Sequence, residues 1–540
     1  MFWQAKEKWI FLVVCLVMVF SMYGRTLWGD FVFDDRGIVE HQKTLSFGKL
    51  PLVLAMPYFS EETGLYRPTV LLSYALNFSV LGAKPWGFHL INLILYALCG
   101  WWLRLLIRRL FANDSLACAA TLLFLVLPIH TEAVANIVGR TEILALSFSL
   151  LALYELAKEK GDSFLIGLYF LLAMGSKETA IAVLPLAVFV VWIKEKKLFE
   201  KNIFQQYLWP ALALVVSGAL YFLLRFFVLG RQYFMFADTT VVENQLKFVP
   251  YLERLGTSLA IFWNIYLKKS FWPFDFCSDY SFAQIETVKN FFNYQTLGGL
   301  VVVLFLIAGS WFFLKRWPAL ALGCVFIFFG FLPVANWLLP IGTIAGERLA
   351  FFPSVGFCLI AAQLLVSSLA IKIKKRQLFF KAIFLTILLA LIGFYGWRSF
   401  TRSGDWLTEK KLFTSAAQCA PRSVLSRSNL GASYYLAGDL AGAKKELLTA
   451  QEIYDGYPKG INNLGLVYWK EGDIAKAREY FLKALDSRFP FYGAYENLAL
   501  VSLEEGKIDE ARSWLLKFHS GNQETTEAYI QAFLGQNRAK

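Results

Sequence analysis

This sequence predicts an all-α membrane protein: a polytopic bundle of transmembrane helices followed by a C-terminal helical solenoid. Three observations carry the prediction. The 540 residues are 57% hydrophobic and only 17% charged, where a soluble chain carries about 25% charged residues. Apolar runs of bilayer-crossing length recur through residues 1–400, with Lys and Arg gathered in the short loops between them. Beyond residue 400 the chain repeats itself every 34 residues. The net charge of +13 invites a nucleic-acid reading. Much of that charge lies in short loops where it sets topology, so no nucleic-acid partner is predicted. The aromatic wealth belongs to membrane belts and cores.

The first apolar run, 9–28, follows Lys6 and Lys8 and ends without a small-residue cleavage site, at Met22-Tyr23-Gly24-Arg25. It reads as an uncleaved signal anchor with its N-terminus inside. Further spans are expected near 86–107, 114–129, 141–157, 163–176, 178–193 and 206–229. The loops this count puts inside are basic: Arg104, Arg108 and Arg109; Lys158 and Lys160; Lys194, Lys196, Lys197 and Lys201. Segment 250–272 carries Glu253, Arg254, Lys268 and Lys269. If it crossed, Lys315-Arg316 and the run Lys372, Lys374, Lys375 and Arg376 would fall outside, so it is expected to lie in the interface or to re-enter. Spans at 296–314, 317–338, 349–370 and 379–397 bring the expected total to 11, with all that follows outside. Cysteines within spans read as small buried hydrophobes, and no C-x-x-C or H-E-x-x-H is present.

In the C-terminal part, Asn429-Leu430-Gly431, Asn463-Leu464-Gly465 and Asn497-Leu498-Ala499 recur at 34 residues, as do Gly438, Gly472 and Gly506, and Ala443, Ala477 and Ala511. A period of 34 with a glycine-containing turn between two helices is the tetratricopeptide (TPR) pattern. The alanines fall where paired helices approach too closely for larger side chains, and the glycines end each first helix. Two domains are expected: 1–400 in the membrane, with an outer loop 29–85, and 401–540 as TPRs, with repeats near 427–460, 461–494 and 495–528. Asp405 to Pro421 reads as the second helix of a partial leading repeat. The motif specifies a fold; its use is either protein binding or a stabilising cap.

The stretch with the strongest chemical signal is Gly29-Asp30-Phe31-Val32-Phe33-Asp34-Asp35-Arg36, directly after the first span. Adjacent carboxylates beside hydrocarbon mark a functional site by default, although Asp also serves turns and helix caps. Glu132, Asn136 and Arg140 stand at i, i+4 and i+8, so on one helix they share a face. With His130 they form either a cavity lining or a structural polar patch between spans.

Taken in order, Phe33-Asp34-Asp35, Tyr66-Arg67-Pro68-Thr69, Trp86-Gly87-Phe88-His89-Leu90-Ile91-Asn92, Pro128-Ile129-His130-Thr131-Glu132 through Asn136 to Arg140, Ser176-Lys177-Glu178-Thr179 and Gly346-Glu347-Arg348-Leu349, with TPRs after the last span, closely resemble the transmembrane and TPR repeat-containing family. That family consists of GT-C superfamily glycosyltransferases. The resemblance covers nearly the whole chain. It implies a GT-C-type bundle, a polyprenyl-phosphate-linked sugar donor (mannose or another hexose), a protein Ser or Thr acceptor, and transfer on the periplasmic or lumenal face. Animal members carry many more TPRs, so the short array here looks more like a bacterial relative. That corresponds to an inner membrane with site and TPRs in the periplasm, or to the endoplasmic reticulum membrane and lumen in a eukaryote.

Such a transfer needs a base, an in-line acceptor and positive charge for the leaving phosphate. Asp34 and Asp35 are the candidate bases, with Asp35 slightly favoured; one carboxylate takes the proton and the other accepts from sugar hydroxyls. The single displacement inverts the anomeric centre. Arg67, Arg140, Lys177 and Arg348 are the candidate phosphate ligands, each with the alternative of pairing to a neighbouring acid. His89, His130, Glu132, Asn136, Glu178 and Glu347 are the candidate cavity lining. Related metal-using enzymes space their acids, whereas here they are adjacent; no metal or other cofactor is predicted, with a divalent ion left open. The acceptor protein is expected to dock on the TPR groove, and the bilayer is the remaining partner. The alternative reading is a non-catalytic membrane-anchored TPR scaffold that recruits envelope proteins, with a transporter third.

Overall fold

The structure, a computed structural model, describes residues 2–40, 45–59, 64–196, 200–230, 239–367 and 377–538; these contain helices, turns and irregular chain and no β-strand. Lys197 and the basic run from Lys372 to Arg376 lie outside the described residues. The chain divides into two compact units, one of residues 1–239, 246–278 and 287–412, the other of 240–245, 279–286 and 413–540.

Among the described residues of the first unit, six helices are long and apolar enough to cross a membrane: Trp9–Trp28, Pro85–Phe111, Ile137–Leu156, Asn202–Leu229, Tyr294–Phe312 and Ala382–Leu407. Asp114–Val126 and Pro128–Ala135 make a seventh if the pair, bent by 53°, is a single span. Pro128 offers no N–H to continue the helical ladder, which accounts for the bend. The expectation of 11 spans therefore meets shorter elements. Ser163–Met174 has 12 residues, Val183–Glu195 has 13, and Pro318–Phe331 and Ser354–Ser367 have 14 each. At ~1.5 Å per residue these reach about 18–21 Å of a ~30 Å hydrocarbon core. Their apolar runs extend further in sequence because the flanking residues form tight 3₁₀ turns and loops rather than helix. Glu178–Ala182 precedes one of these helices and Glu347–Ala350 another.

Two further segments outside these spans are helical. The stretch read as the outer loop 29–85 contains an apolar helix, Pro68–Leu81, started by Pro68 at its first turn. Segment 250–272 is a near-continuous helix, Tyr251–Ile261, Phe262–Leu267 and Lys268–Phe271, whose middle part is widened to a π-helix.

Pro85–Phe111 packs on Phe2–Tyr23, Asp114–Val126 and Arg140–Leu156, and Ser163–Met174 lies between Arg140–Leu156 and Lys201–Leu229. Without a hydrophobic drive between helices in lipid, close approach depends on small residues. Where Ser354–Ser367 crosses Pro318–Phe331, a Cβ on Gly356 would stand 2.2 Å from the Gly323 carbonyl oxygen.

The second unit is a helical solenoid. Val424–Leu436 pairs with Leu440–Ile453, Pro458–Lys470 with Ile474–Leu485 and Gly493–Glu504 with Ile508–Phe518, and Gln523–Arg538 closes the end. Gly438, Gly472 and Gly506 take φ of 79°, 86° and 75°, the left-handed conformation that terminates a helix cheaply only in glycine. Ala443, Ala477 and Ala511 are fully buried. Asp439 and Asp473 cap the second helices through Gly442 N–H at 2.8 Å and Lys476 N–H at 3.1 Å. Lys507 stands at the same place in the third repeat and makes no side-chain cap. The short segments 240–245 and 279–286 belong to this unit. Phe282 N–H donates to Val242 carbonyl and Val424 N–H to Phe282 carbonyl, while Asp279 accepts from the hydroxyls of Ser281, Ser423 and Ser426.

Candidate functional site: a cationic cavity beside Asp34

The chain leaves its first helix through the turn Gly24–Trp28. Phe33 then adopts a φ of 54°, which turns the backbone so that two consecutive carboxylates diverge. Asp35 opens the helix Asp35–Glu40 and is fully buried. Its Oδ1 accepts from Val138 N–H at 3.0 Å and its Oδ2 from Val32 N–H at 3.3 Å. Burial pushes its pKa up to about 8, against the backbone donors of Val138, Val32 and Ile137. Asp34, a third exposed, faces a cavity of about 460 Å³ and stands 3.5 Å from Arg348. Asp35, the residue favoured from sequence as base, does not line that cavity: its oxygens are spent on backbone donors.

Among the described residues the cavity wall carries four cations, Arg67, Lys177, Arg225 and Arg348, and two carboxylates, Asp34 and Glu178. Glu178 holds two of the cations, Arg225 at 2.8 Å and Arg67 at 3.3 Å. Burial alone would raise Glu178; Arg67 and Arg225 outweigh it and keep the acid below its ordinary value. Arg225 also donates to Gly64 carbonyl at 2.9 Å, and Arg67 lies over the Tyr58 ring at 5.2 Å. Lys177 is paired with Glu142, and burial lowers its pKa in spite of that partner. Arg348 reaches Glu132 at 3.3 Å as well as Asp34. The lining also includes apolar residues, Phe59, Leu65, Val334 and the run Leu339-Pro340-Ile341. The loop that carries this run is tied across by Asn336, which donates to the Thr343 and Ile344 carbonyls and accepts from Ile341 N–H. A cavity lined by both guanidiniums and apolar side chains suits an amphipathic anion.

Of the residues predicted from sequence, Asp34, Arg67, Lys177, Glu178 and Arg348 come together here, with Glu132 behind Arg348. Others do not. The spacing Glu132, Asn136, Arg140 does not share a helical face, because the helix ends at Ala135 and Asn136 is extended at φ −76° and ψ 130°. Asn136 instead caps the next turn through Val138 N–H at 2.9 Å. Arg140 is fully buried. It donates to Asn92 Oδ1 at 2.7 Å, Phe88 carbonyl at 2.9 Å, Asn77 Oδ1 at 3.1 Å and Ser73 at 3.4 Å, and lies over the Tyr74 ring. These protein acceptors occupy the fork that was expected to meet a phosphate. His130 is buried between Tyr96 hydroxyl at 2.8 Å and Ser354 hydroxyl at 2.7 Å, and joins helices rather than lining the cavity. His89 is buried beneath Gly29. Glu347 points away from the cavity, to Arg402 at 2.9 Å and Cys277 N–H at 2.6 Å.

Sequence reasoning missed Arg225 and the apolar loop around Leu339. Arg225 had a signal: it is the one charge in the interior of Lys201–Leu229, and a charge within a span marks a site by default. The apolar loop had none, because it follows directly on the span expected at 317–338 and is equally apolar.

A TPR family model matches residues 462–522. Over most of its length the chain is similar to proteins named as protein O-mannosyl-transferases. It is 27% identical to F38B6.6 of Caenorhabditis elegans, covering 78% of this chain and 59% of that protein. It is 25% identical to human TMTC3, covering 81% and 50%, and 27% identical to human TMTC4, covering 78% and 63%. The chain thus spans between half and two thirds of the length of these relatives.

Proposed function

We propose, taking as premise that this chain is a TPR-containing relative of the protein O-mannosyl-transferases, that it is a GT-C-type membrane glycosyltransferase. It moves a hexose, mannose in the first instance, from a polyprenyl-phosphate donor to a Ser or Thr hydroxyl of a protein on the periplasmic or lumenal face. The observation that carries this reading is Asp34 on the wall of a cavity shared by Arg67, Lys177, Arg225 and Arg348.

In this reading the donor phosphate sits among the four cations and its isoprenoid chain leaves along the apolar part of the lining. The acceptor oxygen attacks the anomeric carbon, Asp34 takes the hydroxyl proton, and the bond from that carbon to the phosphate oxygen breaks with its electron pair going to the phosphate. One displacement inverts the centre. The leaving group departs as an anion and needs charge rather than a proton, which is what guanidinium forks supply. Asp34 is the base in place of Asp35, because a base must reach the reacting hydroxyl. Asp35 holds Val32 and Val138 in place and so positions its neighbour. Glu178 keeps Arg67 and Arg225 together before the donor arrives. Of the two units, the TPR solenoid selects the acceptor protein.

The test is transfer by the purified full chain from a panel of polyprenyl-phosphate sugars. Asp34→Asn is expected to lose roughly 10²–10⁴ in rate, the usual worth of a positioned base, with donor binding retained. Full activity in Asp34→Asn would overturn the assignment. A chain lacking residues 413–540 is expected to bind donor but to lose transfer to protein.

A further inference from the structure

Arg348 is held by one carboxylate at two points. Glu132 Oε2 accepts from the Arg348 main-chain N–H at 2.9 Å, and Glu132 Oε1 lies 3.3 Å from Arg348 Nη1. Both oxygens of Glu132 are thus spent on a single residue. The Glu132 side chain is 4% exposed and does not line the cavity, whereas that of Arg348 is 27% exposed and does. An ion pair to the guanidinium alone leaves a long side chain free to pivot about its own backbone. Here backbone and head group are bound to the same carboxylate, so the side chain is closed into a ring and its direction is set. The backbone is tied as well: Gly346 N–H donates to the Tyr266 hydroxyl at 3.3 Å, and Glu347 pairs with Arg402 at 2.9 Å.

The ion pairs use one corner of the guanidinium. Nη1 meets Glu132 at 3.3 Å and Asp34 at 3.5 Å. Nε and Nη2 have no hydrogen-bond partner among the described residues. Those two nitrogens are one edge of the guanidinium fork, which can meet two oxygens of a phosphate at once. The other arginines of the lining do not offer that edge. Arg67 has its Nε buried without a partner and gives Nη2 to Glu178, and Arg225 spends Nη2 on the Gly64 carbonyl. Lys177 brings a point charge rather than a fork.

We propose that Glu132 is a positioning residue for donor binding: it holds Arg348 so that the edge formed by Nε and Nη2 meets two oxygens of the polyprenyl phosphate. The inference rests on the donor reading above and assigns the phosphate to one arginine among the four cations. Glu132 itself touches neither donor nor acceptor. Because Nη1 stays on Asp34, the arginine that grips the phosphate also sets the distance from that phosphate to the base.

The test is binding of undecaprenyl phosphate to the purified full chain in detergent, followed by native mass spectrometry, with undecaprenol as the phosphate-free control. The readout is the preference for phosphate over alcohol, a ratio that does not move when a variant only lowers the folded fraction. Glu132→Gln keeps an acceptor for the main-chain N–H but not the charge, and is expected to cut the preference about tenfold. Arg348→Lys keeps the charge and loses the fork, and is expected to cut it by a similar factor. The double variant is expected to fall no further than the worse single variant, because Glu132 acts only through Arg348. Glu347→Gln, which breaks the other ion pair of the same turn, is expected to lower the unfolding midpoint and keep the preference. An unchanged preference in Glu132→Gln or in Arg348→Lys would overturn the proposal. So would additive losses in the double variant, or a loss in Glu347→Gln as large as that in Glu132→Gln, which would make Glu132 a support of the turn alone. Wild type with no preference for the phosphate would overturn the donor reading itself, and the proposal with it.

Discussion

Replacing Asp35 by Asn should change how the protein's stability responds to pH. The carboxyl is wholly buried, and burial lifts its pKa from an ordinary value near 3.8 to about 8. Between those two values the folded chain holds a proton that the unfolded chain has released, so stability falls as pH rises, by about 1.4 kcal/mol per unit. The contribution is complete below the unfolded value and gone at about pH 8. From pH 5 to pH 7 the wild type should therefore lose about 3 kcal/mol through this one group. Asparagine does not titrate, and its carbonyl oxygen still accepts from Val138 N–H. It forfeits the bond from Val32 N–H, a cost of about 1 kcal/mol. Thermal unfolding followed by tryptophan fluorescence in detergent at pH 5, 6, 7 and 8 separates the two chains. The wild-type midpoint should drop by several degrees between pH 5 and 7, and the difference between wild type and Asp35→Asn should shrink or change sign over that interval. Parallel pH profiles would refute the argument, and with it the idea that Asp35 is a buried positioning group rather than a cavity carboxylate.

Arg140→Met should destabilise the protein by about 3–5 kcal/mol, because the amide oxygens of Asn77 and Asn92 and the Phe88 carbonyl lose their donor in a buried setting; a variant that unfolds like wild type but no longer binds donor would return Arg140 to the phosphate site. Arg348→Gln should lower transfer and also destabilise the protein, measured by initial rates beside a melting curve, since the buried Glu132 loses its ion partner along with Asp34. Lys507→Asp should stabilise the solenoid by about 1 kcal/mol by supplying the missing cap of the third repeat, read as a rise in the unfolding midpoint of that unit. Gly472→Ala should have the opposite effect, costing upwards of 1 kcal/mol at a φ of 86°.

The repeats were legible because three copies of one pattern test each other: Gly438, Gly472 and Gly506 share one backbone conformation, and the alanines that allow helix pairs to touch are all buried. The region of the site was legible too, since paired carboxylates at the end of an apolar run have few uses. Which carboxylate faces the cavity was not legible. That depends on the positive φ of Phe33 and on a backbone N–H at Val138, about a hundred residues away in sequence. Periodicity failed at Asn136 for a similar reason. The i, i+4, i+8 rule assumes an unbroken helix, and a side chain that caps its own backbone ends one without altering the hydropathy. The expected 11 spans exceed the helices of full crossing length among the described residues, because short helices and tight turns are equally apolar and a hydropathy window does not separate a helix of 13 residues from one of 20.

The tripeptide Gly346-Glu347-Arg348 has a consequence for how this chain can vary. Consecutive residues of its 3₁₀ turn address opposite partners, Glu347 the buried Arg402 and Arg348 the carboxylates of Asp34 and Glu132. Successive side chains on such a turn are about 120° apart. Loss of one residue before the turn would bring Arg348 onto Arg402 and leave Leu349 facing the two acids; gain of one would bring Glu347 onto those acids and leave Arg402 without its carboxylate. Substitution at one position leaves the other side's pairing intact; an altered spacing loses the pairing on both sides and sets like charges together on one. The turn acts as a ruler, tolerant of changed composition and intolerant of changed length.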